Sequence, residues 1–592
     1  MDQTIETAVR QWLADPVIAE QDKAEIRALL EAGDEKELAD RFYRELEFGT
    51  AGLRGLIGAG LNRVNVYTVG QATQGLANHI ARQGESARRA GVAIAYDCRR
   101  MSDLFARRTA EVLAANGITA YLFEQLRPTP ELSFAVRYLQ CAAGVVITAS
   151  HNPPAYNGYK VYGADGVQII PPQDAAIIAE VRRVGGFAHV RHMDYADGVA
   201  RGLIRPILRE VDEAFLQAVQ TSCLDPQAVR EYGPRIKIVY TALHGTGGQL
   251  IPEALRRRGF SQVLEVPEQA RPDGEFPTVQ SPNPEEQEAL ALAVKLAERV
   301  DADVVIGTDP DADRMGVAIR TPAGGYELLT GNQTGALLTW YTCENLKAAG
   351  RFPDNAAVIS TIVSGDLMKE IGRGYGAEVI EVLTGFKWIG AKVAEFEAQG
   401  TPGRPSRTYL FGSEESYGYM PATYVRDKDA VTSAACFADL AATAAAHGRS
   451  IYGILEDLYR RFGCFQESAL NVTLPGPEGA ARIQAIMATL RGRPPRAVAG
   501  TAVQRVGDLK SGEIREAATG AVTGRYDLPA SDVILLYLAD GGKVIARPSG
   551  TEPKIKFYIL VREPADDLPA AKARAAAKIE AIKADIVQWT KA

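Results

Sequence analysis

The sequence predicts an α/β architecture: three similar α/β domains with mixed, largely parallel sheets, then a smaller α+β domain, all set around a central cleft. Three observations lead there. The chain has 592 residues, far beyond one hydrophobic core, which points to about three to five domains. Short apolar strands alternate with helical patterns along most of it, as layered sheets with parallel pairing require. The third observation recurs at strand ends, where an apolar run stops and polar or charged residues follow at once. It appears as Ile94-Ala95-Tyr96-Asp97, Val146-Ile147-Thr148-Ala149-Ser150-His151, Val239-Tyr240-Thr241-Ala242-Leu243-His244, Val305-Ile306-Gly307-Thr308-Asp309 and Leu410-Phe411-Gly412-Ser413-Glu414. Ligands bind beyond the carboxyl ends of strands in such sheets. These ends therefore read as the loops of three diverged copies of one unit gathered about one cleft.

In chain order, residues 1–46 read as a helical extension, with apolar residues at three- and four-residue spacing over 4–13 and 35–46. Residues 47–207 form the first domain. It opens on the Gly-rich segment Phe48-Gly49-Thr50-Ala51-Gly52-Leu53-Arg54-Gly55, with strands expected over 92–96 and 144–148 and a helix over 104–115. The second domain, 208–325, has strands over 236–241 and 304–307 and a helix over 285–299. The third, 326–455, has strands over 357–361 and 408–411 and a helix over 429–446. From 456 to 592 the strand candidates 468–473, 533–538, 543–546 and 556–561 alternate with a period of two, and a last helix covers about 568–589. This smaller domain is expected to close over the cleft. Residues 492–495 and 564–569 read as surface connections.

Composition excludes several classes. With 46% hydrophobic and 23% charged residues, wholesale disorder has no basis. A net charge of -7 without a basic patch argues against a nucleic-acid partner. The six cysteines lack CxxC spacing, which argues against a zinc ribbon or a disulfide framework. The N-terminus is acidic and lacks the apolar core of a secretory signal. No stretch reaches the roughly 18 apolar residues of a spanning helix. The expectation is a cytoplasmic protein with no membrane partner.

Four strings carry candidate chemistry. In Thr148-Ala149-Ser150-His151-Asn152-Pro153 a serine stands at a strand-to-loop transition that exposes its hydroxyl, and Pro153 stops regular structure. An Asn-Pro turn that merely contains Ser and His is the other reading. In Asp309-Pro310-Asp311-Ala312-Asp313-Arg314 three carboxylates alternate after an apolar strand and would repel one another without a cation. An EF-hand fails, because Arg314 and Arg320 stand at its sixth and twelfth positions. A solvated acidic turn fits poorly after the apolar run Val304-Val305-Ile306. Magnesium, which takes a few carboxylates and leaves room for a phosphate oxygen, fits best. Arg547-Pro548-Ser549-Gly550-Thr551-Glu552-Pro553-Lys554, followed by Lys556, suits either a phosphate cradle or a polar hairpin turn. Gly412-Ser413-Glu414-Glu415-Ser416-Tyr417-Gly418-Tyr419 could hold sugar hydroxyls, although alone it reads as a solvated loop.

At these residues the chain resembles the α-D-phosphohexomutase superfamily, and in particular the long bacterial phosphoglucomutase and phosphopentomutase-like branch. The resemblance runs in family order from Phe48 to Tyr558. It implies a phosphorylated Ser150, with His151 beside it, and Ser150, Asp309, Asp311 and Asp313 as magnesium ligands, one ion per chain. It implies catalytic roles for Ser150, His151, Arg54, Arg314 and Lys160, the last from Asn157-Gly158-Tyr159-Lys160 as a candidate for proton transfer. Thr50, Glu414, Ser416, Arg547, Ser549, Gly550, Thr551 and Lys556 are implied to bind substrate. So are Lys387, from Thr384-Gly385-Phe386-Lys387-Trp388-Ile389-Gly390, and Arg426, from Arg426-Asp427-Lys428-Asp429. The implied reaction converts glucose 1-phosphate to glucose 6-phosphate through glucose 1,6-bisphosphate, which also serves as activator. A monomer or weak homodimer is implied. Two departures stand out. The metal loop has Pro310 where the commoner pattern has Gly, leaving the ligands unchanged. The sugar loop has Tyr417-Gly418-Tyr419 where phosphomannomutase-type members carry a His, which argues against mannose and leaves the second acid/base group unassigned. His244 is expected at the cleft. Pentose or mannose phosphates are the rival substrates, a phosphosugar phosphatase the rival class. A non-catalytic relative would be expected to have lost Ser150 or the aspartates.

Overall fold

The computed structural model describes residues 2–49, 52–401, 403–474, 476–549 and 554–591. The chain divides into two compact units, Met1–Gly331 with Phe386–Gly448, and Asn332–Gly385 with Arg449–Ala592.

The first unit opens with three helices, Gln3–Ala14, Glu20–Glu31 and Glu35–Phe42, broken near Pro16 and at Gly33. Asp2 and Asp34 cap the first and third by accepting backbone N–H bonds. The third stops at Phe42, short of the expected 46, and residues 43–46 run on as loop. Val9, Trp12, Ile26, Leu38 and Phe42 bury against Ala59 and Tyr67 in a core of their own. Trp12 meets the rings of Phe42, Tyr67 and Phe187 edge-on at 5.5–5.9 Å.

Two sheets follow with one plan. In the first, the strands run Leu53–Leu56, Tyr156–Gly163, Ala143–Ile147, Val92–Tyr96, Ala120–Phe123, Ile204–Ile207 across the sheet. In the second they run Gly325–Leu328, Met315–Thr321, Val304–Thr308, Lys237–Thr241, Gln262–Glu265. In each, the first strand of the copy pairs in parallel with the second and the third, and the fourth returns antiparallel on the third. Both third strands are buried along their whole length, as strands covered on both faces must be. The third copy shows two of these pairings. Its third and fourth strands, Thr408–Ser413 and Tyr419–Met420, are antiparallel within the first unit. Its first and second, Ala356–Thr361 and Glu378–Val382, are parallel within the second. Helix Ala430–Ala446, apolar nearly all round, is buried from Ala430 to Ala444.

In the second unit an antiparallel sheet runs Cys464–Thr473, Lys554–Glu563, Lys543–Pro548, Ile534–Leu538, Thr501–Asp508, Glu513–Glu516, Val522–Arg525. One face packs on helices Gly476–Gly492 and Leu568–Lys591 through Ile483, Met487, Val544, Phe557, Ile582 and Ile586. The expected α+β character holds. Residues 564–569 are not all connection, since the last helix begins at Leu568 and takes Pro569 into its first turn, where a missing N–H costs nothing. Among the described residues no helix is long and apolar enough to cross a membrane.

Candidate active site

Ser150 follows the buried strand Ala143–Ile147 with φ +52°, a left-handed conformation that ends the strand abruptly and turns the hydroxyl out of the sheet. The turn is fixed from both sides. Its N–H donates to Thr148 Oγ1 at 2.8 Å. The buried Arg99 donates to four backbone carbonyls of the loop, those of Ser150, Asn152, Pro153 and Tyr156. Ser150 Oγ donates to Asp309 Oδ2 at 2.7 Å and lies 3.2 Å from His151 Nδ1. Burial and the nearby Arg314 and Arg54 hold the His151 imidazole well below its usual range, so it is neutral at pH 7.

Asp309, Asp311 and Asp313 extend from the end of strand Val304–Thr308, all buried, each offering an oxygen within 4.8 Å of the others. Asp309 Oδ1 accepts the N–H of Asp313 and Arg314 at 3.1 and 3.0 Å, which folds the loop back on itself. Asp311 Oδ2 accepts from Thr129 Oγ1 at 2.9 Å and Lys160 Nζ at 3.0 Å. Asp313 Oδ2 takes Lys428 Nζ at 3.1 Å and Lys160 Nζ at 3.6 Å. Oδ1 of Asp311 and of Asp313 has no hydrogen-bond partner among the described residues. Burial, then the charges of Asp311 and Asp313, push the Asp309 carboxyl well above the usual range. Burial works in the same direction on Asp311, but the Lys160 ammonium outweighs it and holds that carboxyl low. Buried acids with orphaned oxygens and one member that resists ionisation form a donor set that a hard divalent cation satisfies.

The other expected residues divide into those near this trio and those elsewhere. Arg314 is in an ion pair with Glu285 and 3.9 Å from Asp313. Arg54, exposed on strand Leu53–Leu56, lies in the field of Arg314, Asp311 and Asp313. Glu414 is buried and acts electrostatically on Arg314 and Lys428. Its loop, with Ser416 half-buried, is stitched to the exit of the acid loop, because Met315 N–H donates to Tyr417 O at 3.1 Å. Arg426 is buried and paired with Glu397. Lys387 lies over the Trp388 ring at 5.8 Å, its amine lowered by burial. His244 has both ring nitrogens engaged, with Thr278 Oγ1 at 2.9 Å and Arg271 O at 3.3 Å, so it holds its own loop.

In the second unit Arg547 and Lys556 face each other in register on adjacent antiparallel strands. Like charges directly opposite destabilise a sheet unless an anion lies between them. Arg547 reaches Tyr558 Oη at 3.4 Å, and Ser549 N–H donates to Lys554 O at 2.9 Å. Thr50, Gly550 and Thr551 lie outside the described residues.

Three contacts at the site come from residues that no expectation singled out. Thr129 and Arg99 touch the acid loop and the serine loop from positions with no motif of their own. Lys428 stands two residues beyond Arg426. It bridges Asp313 and Asp427, each at 3.1 Å, above the Phe386 ring at 5.5 Å, while Tyr162 Oη donates to Asp427 at 2.7 Å.

Comparison with known proteins bears on family and fold. Profiles described as phosphoglucomutase/phosphomannomutase α/β/α domains I, II and III match residues 45–185, 213–324 and 330–462. A phosphoglucomutase of Staphylococcus epidermidis is 38% identical over 515 residues, covering 87% of this chain and 90% of its own. One of Staphylococcus aureus is 36% identical over 552 residues, covering 93% and 96%. The fold matches a putative phosphomannomutase of Thermus thermophilus with a TM-score of 0.64 at 22% identity, over 90% of this chain and 98% of that one. It also matches a Paramecium parafusin, described as a phosphoglucomutase, with a TM-score of 0.65 at 16% identity over 92% and 96%.

Proposed function

Because the chain belongs to the phosphoglucomutase/phosphomannomutase family, we propose that it interconverts glucose 1-phosphate and glucose 6-phosphate, with Ser150 as the phosphoryl carrier and glucose 1,6-bisphosphate as intermediate. One observation carries the reading: Ser150 Oγ stands 2.7 Å from Asp309 Oδ2 in a cluster of buried aspartates with orphaned oxygens. Asp309, Asp311 and Asp313, with Ser150, would hold one Mg²⁺, which when bound neutralises charge on the transferred group.

The chain's own residues do the rest. Arg99 fixes the serine loop, so the phosphoryl group on Ser150 is presented in one direction, as in-line transfer needs. Arg314, Arg54 and Lys428 surround that position with positive charge. Glu414 and Ser416 hold the sugar hydroxyls. Arg547, Ser549, Gly550, Thr551 and Lys556 hold the phosphate that does not react, and accept either end of the bisphosphate when it turns round. Lys160 and the neutral His151 are the groups able to exchange protons with the sugar hydroxyl and with Ser150 Oγ. The free cysteines support a reducing cytoplasmic setting. Tyr417-Gly418-Tyr419 in the sugar loop favours glucose over mannose.

The test is a coupled assay across glucose, mannose, ribose and deoxyribose 1-phosphates, with and without glucose 1,6-bisphosphate, on the wild type and Ser150→Ala. Intact mass of fresh wild type should show a fraction heavier by one phosphate, absent in the variant, and the variant should not turn over. Turnover by Ser150→Ala removes the carrier assignment. Release of inorganic phosphate makes the protein a phosphatase, and a preference for another sugar replaces glucose.

A further inference from the structure

The face of the C-terminal sheet opposite its helices carries two charged rungs. Strand alternation puts Lys543, Ile545 and Arg547 on that face, while Val544 and Ala546 enter the helix-packed core. In register across three strands, one rung is Glu467, Leu560, Lys543 and the other is Asn471, Lys556, Arg547. Four residues of strand separate them, about 13 Å. The second rung carries the cations assigned above to the substrate's phosphate. The first is clamped. Lys543 Nζ lies 2.9 and 2.8 Å from the two oxygens of Asp366. Asp366 stands at the start of helix Leu367–Tyr375, and its side chain makes no capping bond. It also takes Lys369 Nζ at 3.1 Å, and the buried Lys369 continues to Glu381 at 2.6 Å and Ser364 O at 3.1 Å. Gly365 sits so close to Glu467 that a Cβ there would meet its Oε1 at 2.3 Å. The loop 364–366 is thus seated on the first rung by shape and by charge.

We propose that Lys543 is a positioning residue for the phosphate-binding rung. Its ion pair with Asp366 fixes one end of strand Lys543–Pro548 on the loop after strand Ala356–Thr361. A strand is stiff over four residues, so the clamp sets where Arg547, on the same strand, points. The inference rests on the assignment of Arg547 to the substrate's phosphate. Lys369 keeps Asp366 paired when Lys543 is replaced, so the substitution removes the clamp and leaves no carboxylate alone.

Lys543→Met should raise KM for glucose 1-phosphate about tenfold, the factor that about 1.4 kcal/mol of lost binding gives, with kcat within about twofold and the phosphorylated fraction of Ser150 unchanged. Lys543→Arg, which can span the two oxygens of Asp366, should restore KM. The deciding measurement is a cycle with Arg547→Ala. If Lys543 acts through Arg547, adding Lys543→Met to Arg547→Ala should change KM by less than about twofold. A full tenfold increment in that background overturns the proposal, and so does an unchanged KM in Lys543→Met alone. Should Arg547→Ala itself leave KM unchanged, the phosphate assignment has failed and the proposal falls with it. Where methionine lowers the yield of folded protein, Lys543→Gln takes its place in the same cycle.

Discussion

At the scale of single residues, the site is built from partners far apart in sequence. Thr129 meets Asp311 across 182 positions and Ser150 meets Asp309 across 159. Ser150 and the three aspartates were legible because each follows an apolar strand in a compact string. Thr129, Arg99 and Lys428 were not, since a lone hydroxyl or cation has no signature until the fold supplies its partner. Thr129 has a measurable role. Its hydroxyl donates to Asp311 Oδ2 and its N–H to Asp311 O at 2.9 Å, so it orients a carboxylate read here as a ligand. Thr129→Val keeps the shape and removes the hydroxyl bond. Loss of such a supporting bond costs about 10–100-fold in metal affinity. Titration of activity with Mg²⁺ should show that weakening, with turnover at saturating Mg²⁺ close to wild type.

Among elements, the strands at the site were the most legible, because runs such as Val304-Val305-Ile306 are apolar on both faces and end abruptly. Helix ends were less so. The third helix stops early at Phe42, and Pro569 belongs to a helix although Pro usually marks a connection. Helix Ala430–Ala446 shows what a buried element demands at its end. Its cap, Asp429, accepts from Thr432 N–H at 2.9 Å and from the Thr432 hydroxyl. Burial raises this carboxyl from 3.8 to about 6. The folded state therefore binds the proton more tightly than the unfolded one. That contribution is complete below about pH 4 and is lost as pH rises through 6. Two pKa units correspond to roughly 3 kcal/mol. Asp429→Asn can still cap the helix and does not titrate. Its melting temperature should gain on the wild type as pH is raised from 4 to 7, and a constant difference across that range would refute the assignment.

For the whole molecule, the threefold recurrence was legible as a rhythm of strand ends, and the antiparallel C-terminal sheet as a change of period. The division of the third copy between two compact units was not, because nothing in its periodicity differs from the others. The acid cluster also has a global consequence. A cation that binds the folded state alone stabilises it by RT ln(1 + [L]/Kd), about 2.7 kcal/mol at a hundredfold excess over Kd. Calorimetry with Mg²⁺ and then with excess chelator should show a fall in melting temperature on removal. Asp311→Asn should be insensitive to the same treatment. Equal shifts in both proteins would mean that the ion acts elsewhere.

The shared strand plan has a further meaning. In each copy the third strand runs out into a loop of distinct chemistry. The first loop holds Ser150, the second the acid trio, and the third Glu414. A single loop sequence offers only one of these side-chain sets, so it is the divergence of the loops that places a serine hydroxyl, three carboxylates and Glu414 on one strand plan. One kind of strand end therefore supports three chemically different loops at equivalent places in the strand plan.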